Sequence, residues 1–146
     1  MTRIILPEYY KPLETEEYMS PMQLEYFRQK LLRWREEILT KSYDSLEYLM
    51  AENWNERDPN DQSIVEVNTS FEIRTRGRYC QLIEKIDKAL MRIDGGEYGY
   101  CEETGEEIGI KRLEARPIAT LCIEAQESYE NYQKQHLDFD EDQTED

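Results

Sequence analysis

From Leu24 onward the apolar residues return at alternating steps of three and four: Leu24, Phe27, Leu31, Trp34 and Ile38. That spacing draws one stripe along an α-helix and predicts a helix with a single buried seam. Beyond Ile38 the stripe continues through Ser42, Leu46 and Leu49, and its step of four locally relaxes any supercoil. Ser20-Pro21, with Glu25 nearby, supplies the start: a serine N-cap and a proline in the first helical position. A second run mirrors the first. Ile64, Val67 and Phe71 define one seam, and Thr75 bridges by a step of four to Tyr79, Leu82, Ile86, Ala89, Leu90 and Ile93. Between the runs lies the break Asn55-Glu-Arg-Asp58-Pro59-Asn60-Asp61-Gln-Ser63. So short a connection predicts that the two helices fold back antiparallel. The irregularities fall at comparable distances from the break, which favours pairing within one chain and a monomer. At 1.5 Å per residue, about 30 residues give each arm a reach of about 45 Å, with the acidic break at the tip.

The rest of the chain reads as smaller pieces. Residues 1–19 carry Pro7, Pro12, Tyr9, Tyr10 and Tyr18 and predict an extended arm packed on the body. Gly95, Gly96 and Gly99 end the second helix. A compact segment follows to Arg116, and Arg116-Pro117 opens a final helix, Ile118 to about Gln135, with Leu121, Cys122, Ala125, Tyr129 and Tyr132 on a broad apolar face. The predicted fold is all-α dominated. It has an arm (1–19), an antiparallel coiled-coil hairpin (20–94, tip 55–63), a small globular region with a C-terminal helix (95–137), and an acidic, disordered tail (138–146).

Composition narrows the partners. In 146 residues, charged side chains make up 35 % and hydrophobic ones 38 %, so the core is modest; the net charge of -15 argues against direct DNA binding. An acidic body is better matched to a protein partner with a basic surface. No apolar run reaches the roughly 20 residues that span a membrane. The cysteines, Cys80, Cys101 and Cys122, form no disulfide framework, and reduced thiols in the cytoplasm fit best. No serine has an adjacent histidine base, and no Gly-rich phosphate loop is present, so nothing supports an enzyme.

One constellation bears on metal chemistry. Cys101-Glu-Glu-Thr104 and Cys122-Ile-Glu-Ala125 have the spacing of two C-x-x-C pairs, each with its second cysteine replaced. Two thiolates do not complete a tetrahedral shell, so zinc is disfavoured. Cys101 and Cys122 then read as small buried hydrophobes, with a redox-sensitive pair as the weaker option.

Around these cysteines, Glu97-Tyr-Gly-Tyr-Cys101, Gly105-Glu-Glu-Ile-Gly-Ile-Lys-Arg-Leu-Glu-Ala-Arg-Pro117 and Leu121-Cys-Ile123 resemble the DksA/TraR family of bacterial transcription regulators. The resemblance covers roughly residues 20–136, and it points to the cysteine-poor, zinc-independent branch, because Thr104 and Ala125 stand where zinc-binding members have cysteine. It implies RNA polymerase as the partner, bound at the rim of its secondary channel, with the coiled-coil tip inserted toward the active site and no contact with DNA.

Taken by themselves, Asp58 and Asp61 have three roles open: binding Mg²⁺, accepting hydrogen bonds from a partner's Arg or Lys, or capping the second helix. The resemblance selects the tip motif Asp-x-x-Asp-x-Ala, which Asp58 and Asp61 match and Ser63 departs from. It also implies that guanosine tetraphosphate acts at Leu82, Lys85 and Arg116, with Arg112 beside them. Gln126 stands where a lysine is expected, one phosphate contact fewer. Arg74 and Arg78 match positions that touch the polymerase rim. The reading from a different class is a coiled-coil interaction adaptor that keeps the fold without tip-dependent regulation.

Overall fold

In the computed structural model the backbone is described over residues 4–53 and 59–142, and side chains over the same span except at 48–49, 52–53, 59–65 and 138–142. Helices dominate: α1 (Pro21–Asn53), α2 (Pro59–Gly95), α3 (Ile110–Ala115) and α4 (Ile123–Asp142). One isolated antiparallel bridge, Tyr100 with Glu107, is the extended pairing among the described residues. The chain divides into two compact units, Phe27–Met91, here the hairpin unit, and Met1–Tyr26 with Arg92–Asp146, the terminal unit.

In the hairpin unit α1 and α2 run antiparallel, since Arg35 pairs with Asp87 while Ser45, further along α1, meets Glu72, further back along α2. Phe27, Leu31 and Ile38 from α1 and Ile86 and Ala89 from α2 form its buried core. Each of the large side chains contributes about 1.5–3 kcal/mol through burial. The Arg35–Asp87 ion pair, at 2.8 Å, has both side chains partly in water and adds about 1 kcal/mol at most.

Toward the connection the seam changes character. Ser45 is buried and donates to the Glu72 carboxylate, and Thr69, Glu72 and Thr75 are half-buried, whereas Val67 and Phe71 are 69 % and 64 % exposed. The expected seam through Val67 and Phe71 is therefore corrected. Stepping back from Thr75, the buried stripe moves three residues to Glu72, not four to Phe71. One residue is about 100° of helix rotation, so this single step turns Phe71 away from the centre of the seam.

The terminal unit is knitted from both ends of the chain. Ser20 Oγ caps α1, accepting from the Gln23 amide at 3.4 Å, while Gln23 Oε1 accepts from the Met19 amide at 2.8 Å. Gln23 thus stands in the capping-box position, with its oxygen on the Met19 amide while the amide of the N-cap Ser20 goes to Glu17 O. The Gln23 side chain is fully buried, and its Nε2 donates to the Leu13 carbonyl, which fastens the arm to the start of α1. Within the arm Pro12 is buried, and Tyr10 stacks edge-on against Tyr26.

The core of this unit is Tyr98, Cys101, Ile108, Ile110, Leu113, Ile118, Ala119 and Cys122. Here the last helix differs from expectation, beginning at Ile123 and not Ile118. The intervening carbonyls are already used by side chains and amides of the loop: Pro117 O accepts from Tyr98 OH, Thr120 O from the Glu102 amide, and Leu121 O from Arg112 Nε. A helix would need those acceptors for its own i+4 amides. Tyr129 and Tyr132, expected on a packed apolar face, are more than half exposed. At the far end α4 runs on to Asp142, past the boundary placed at 137, because no Gly or Pro interrupts it.

Candidate functional site

The residues singled out in the sequence fall into three places. At the connection, Asp58 lies outside the described residues; Asp61 and Ser63 lie on the described backbone of α2, in its first turns, without described side chains. Along α2 in the hairpin unit, Arg74, Arg78 and Lys85 are exposed and Leu82 is half-buried. In the terminal unit are Arg112, Arg116, and Cys101 and Cys122 with Thr104 and Ala125.

Arg112 is the third residue of α3, half-buried, with Nε donating to the Leu121 carbonyl at 3.0 Å. Part of its donor capacity is thus structural. Arg116 is exposed at the end of α3, its amide bonded to Arg112 O at 2.8 Å. Gln126 spends its side chain on Glu130, at 3.0 Å along α4. Lys111 is largely in solvent and reaches Glu14 only at 4.0 Å.

The cysteine knuckles fold as such even though two of their four positions lack a ligand. Cys101 is held by its amide to Glu106 O at 2.7 Å and by its carbonyl to the Gly105 amide at 2.9 Å, the tight turn a C-x-x-C loop makes. Gly105 takes φ 74°, which that turn requires. Cys101 and Cys122 are both buried and both free thiols. Thr104 Oγ1 lies 3.7 Å from Cys122 Sγ, within hydrogen-bonding range for sulfur. Burial alone would push the Cys101 thiol up; the Thr104 hydroxyl, then the amides of Cys122, Thr104 and Glu103, act against it. Their combined effect pulls the thiol down from 9.0 to about 6.

The donor set does not fit zinc. It offers two thiols, a threonine hydroxyl and an alanine methyl, and among the described residues no group of three His, Cys, Asp or Glu side chains converges on one point. Thr104 therefore takes part in the knuckle as a hydrogen-bonding residue, a role that its standing as a poor metal ligand does not reveal.

What holds the loop is a set of polar pins that the sequence pattern did not single out. Tyr18 OH donates to Gly99 O at 2.6 Å and accepts from the Gly109 amide at 3.0 Å, and its ring meets Tyr100 edge-on at 5.6 Å. Burial raises the Tyr18 phenol, opposed in part by the Gly109 amide, so the proton stays available to Gly99. Gly99 sits at φ 91°, and a Cβ there would lie 2.7 Å from Met19 Cγ and Sδ. Arg92 donates to Tyr100 O at 2.7 Å and pairs with Glu102 at 3.3 Å. The signal available for Tyr18 was its place in a Tyr-rich arm, which names no partner.

Comparison with known proteins now adds to this geometry. Residues 23–93 match the model of the DnaK suppressor protein DksA N-terminal domain, and residues 96–131 that of the prokaryotic dksA/traR C4-type zinc finger. The RNA polymerase-binding transcription factor DksA of Caulobacter vibrioides is 51 % identical over 129 residues, 88 % of this chain and 91 % of that protein. The chain belongs to the DksA/TraR family. A second DksA/TraR relative, the RNA polymerase-binding transcription factor DksA of Escherichia coli K12, is 41 % identical over 128 residues, covering 88 % of this chain and 85 % of its own. Among solved structures, transcription factor DksA2 from Pseudomonas aeruginosa matches with a TM-score of 0.76 and 38 % identity over 80 % of this chain and 90 % of that one. The all-helical architecture is thus that of the DksA/TraR family, and the cysteine pattern fits a non-zinc variant of it. With that kinship the chain is non-catalytic. Among the described residues no helix is long and apolar enough to cross a membrane.

Proposed function

We propose that this protein is a transcription regulator that binds RNA polymerase at its secondary channel and modulates initiation together with guanosine tetraphosphate. The support is identity that runs through both matched regions, at 51 % over 88 % of the chain, with relatives named for polymerase binding. In this reading the tip acids Asp58 and Asp61 enter the channel and destabilise open promoter complexes, with Ser63 in place of the family's alanine. Arg74 and Arg78 touch the rim. Leu82, Lys85, Arg112 and Arg116 are the residues assigned to the effector. Gln126 in place of a lysine, and the commitment of Arg112 Nε to Leu121, point to a weaker nucleotide effect than a full basic set would give. The protein acts as a monomer, in the cytoplasm, and does not contact DNA on its own.

The test is transcription in vitro from a ribosomal promoter, with and without guanosine tetraphosphate, for the wild type and the Asp58→Asn/Asp61→Asn variant. Wild type represses and the effector deepens repression; the variant still binds polymerase but no longer regulates. A wild type that binds polymerase without altering initiation would instead indicate an interaction adaptor. A variant that loses binding would make the acids structural.

A further inference from the structure

Val67 and Phe71 have the spacing of seam residues, yet α2 turns Glu72 and Thr75 toward α1 and leaves these two apolar side chains 69 % and 64 % exposed. Hairpin packing accounts for Glu72 through its bond to buried Ser45, but it leaves the two apolar side chains exposed. A helix that places a glutamate in its seam and a phenylalanine in water forgoes burial that a one-residue shift would provide.

The surroundings of Phe71 are shaped. Its ring borders two grooves at once. One, of about 580 Å³, is lined along α2 by Glu66, Val67, Ser70, Phe71 and Arg74. The other, of about 630 Å³, lies over the α1–α2 seam, where Phe71 is joined by Lys41, Asp44, Thr75, Arg78 and Leu82 among others. Arg74 and Arg78 follow Phe71 at steps of three and four, so aromatic ring and guanidinium groups share one shoulder of the helix. The acids here are Glu66, Asp44 and Glu72, the last already accepting from Ser45. In a chain of net charge -15, a shoulder where Arg74, Arg78 and Lys41 balance Glu66, Asp44 and Glu72 around an exposed ring is a locally neutral patch.

We infer that Phe71 is the apolar anchor of the polymerase contact, seated in a surface of RNA polymerase that is apolar at its centre and acidic at its edge. The inference rests on the function proposed above and deepens it, since rim binding had been assigned only to the arginines. Large aromatics flanked by arginine are the side chains that dominate interface energetics once water is excluded around them. A groove along two antiparallel helices accepts an elongated element such as a third helix. Charge complementarity from Arg74, Arg78 and Lys41 selects an acidic edge on that element.

The experiment compares polymerase affinity of the full-length wild type with Phe71→Ala, Phe71→Leu and Ile73→Ala. Ile73 is 59 % exposed on the same helix, about 200° around from Phe71, and serves as the matched control. Melting curves establish that each variant is folded. The expected result is a loss of about tenfold or more in affinity for Phe71→Ala. Phe71→Leu recovers part of it, and Ile73→Ala stays within about twofold of wild type. Unchanged affinity of Phe71→Ala, with tip variants still losing regulation, overturns the anchor and leaves the proposed function standing. Failure of the wild type to bind polymerase overturns both. Concentration-dependent self-association that Phe71→Ala abolishes, without any effect on polymerase, makes a second copy the occupant and likewise overturns the inference.

Discussion

Replacing Tyr18 by Phe removes one oxygen atom and tests whether the loop of the terminal unit is pinned as described. The ring and its edge-on contact with Tyr100 stay, so the change isolates the hydroxyl. Two hydrogen bonds disappear, 2.6 Å to Gly99 O and 3.0 Å from the Gly109 amide. Their consequences are unequal. Gly99 O keeps the Ile108 amide as a donor at 2.8 Å, so its loss is an ordinary hydrogen bond of about 0.5–1.5 kcal/mol. The Gly109 amide, half-buried at the start of α3, loses its acceptor, which costs about 1–3 kcal/mol. Together the variant is destabilised by about 1.5–4.5 kcal/mol. For a chain of this size each kcal/mol lowers Tm by about 3–4 °C, so Tyr18→Phe melts about 5–18 °C below wild type. Circular dichroism against temperature and against urea measures it. Amide exchange adds a local readout, with Gly109 losing protection more than amides of the hairpin unit. A Tyr18→Phe protein within about 0.5 kcal/mol of wild type, with Gly109 still protected, would refute the pin.

Two other expectations follow from the same region. Gly99→Ala places a side chain at φ 91° and a Cβ 2.7 Å from Met19; it is destabilised by about 1–3 kcal/mol in urea unfolding, and a neutral effect would mean that Met19 and the backbone yield freely. In a Cys80→Ser background a thiolate step near pH 6 appears in the ultraviolet titration of the folded protein, where Cys101 is lowered to about 6, and Thr104→Val moves that step upward; the absence of any step near pH 6 in the parent would contradict the knuckle geometry. The sign for stability follows, because the folded thiol binds its proton more weakly than the unfolded one. Cys101 adds stability as pH rises from about 6 to about 9, fully present above that window and lost as pH falls through about 6.

The helices were legible because their apolar residues recur with the helical period and their ends carry Ser20-Pro21 and the glycines after Asp94. Phe27, Leu31, Ile38, Ile86 and Ala89 were readable as core for the same reason. Val67 and Phe71 were not readable as surface. Spacing reports that a stripe exists, and it is silent on whether the face that covers it belongs to the same chain. The start of α4 was misplaced because Ile118, Leu121 and Cys122 look helical in pattern, while their neighbours' carbonyls are claimed by Tyr98, Glu102 and Arg112 from elsewhere in the sequence. Gln23 and Tyr18 were invisible as pins for a related reason. A hydrogen bond from a tyrosine to glycines some eighty and ninety positions away leaves no periodic trace. The incomplete zinc ligand set was plain from Thr104 and Ala125. What replaced part of its function, Thr104 turned on the sulfur atoms, needed coordinates.

That distant pairing also sets an order of assembly. Tyr18 meets Gly99 across 81 positions of sequence, a separation whose closure costs about 4 kcal/mol of chain entropy if nothing intervenes. The hairpin unit lies wholly inside that interval and is built from contacts between neighbouring segments. Once α1 and α2 have paired, the arm and the Gly99 loop are brought within reach, and most of the closure has already been met. On the ribosome the arm is made first but completed last, waiting for residues beyond 92 to emerge. Shortening the chain at either end therefore strikes the same unit.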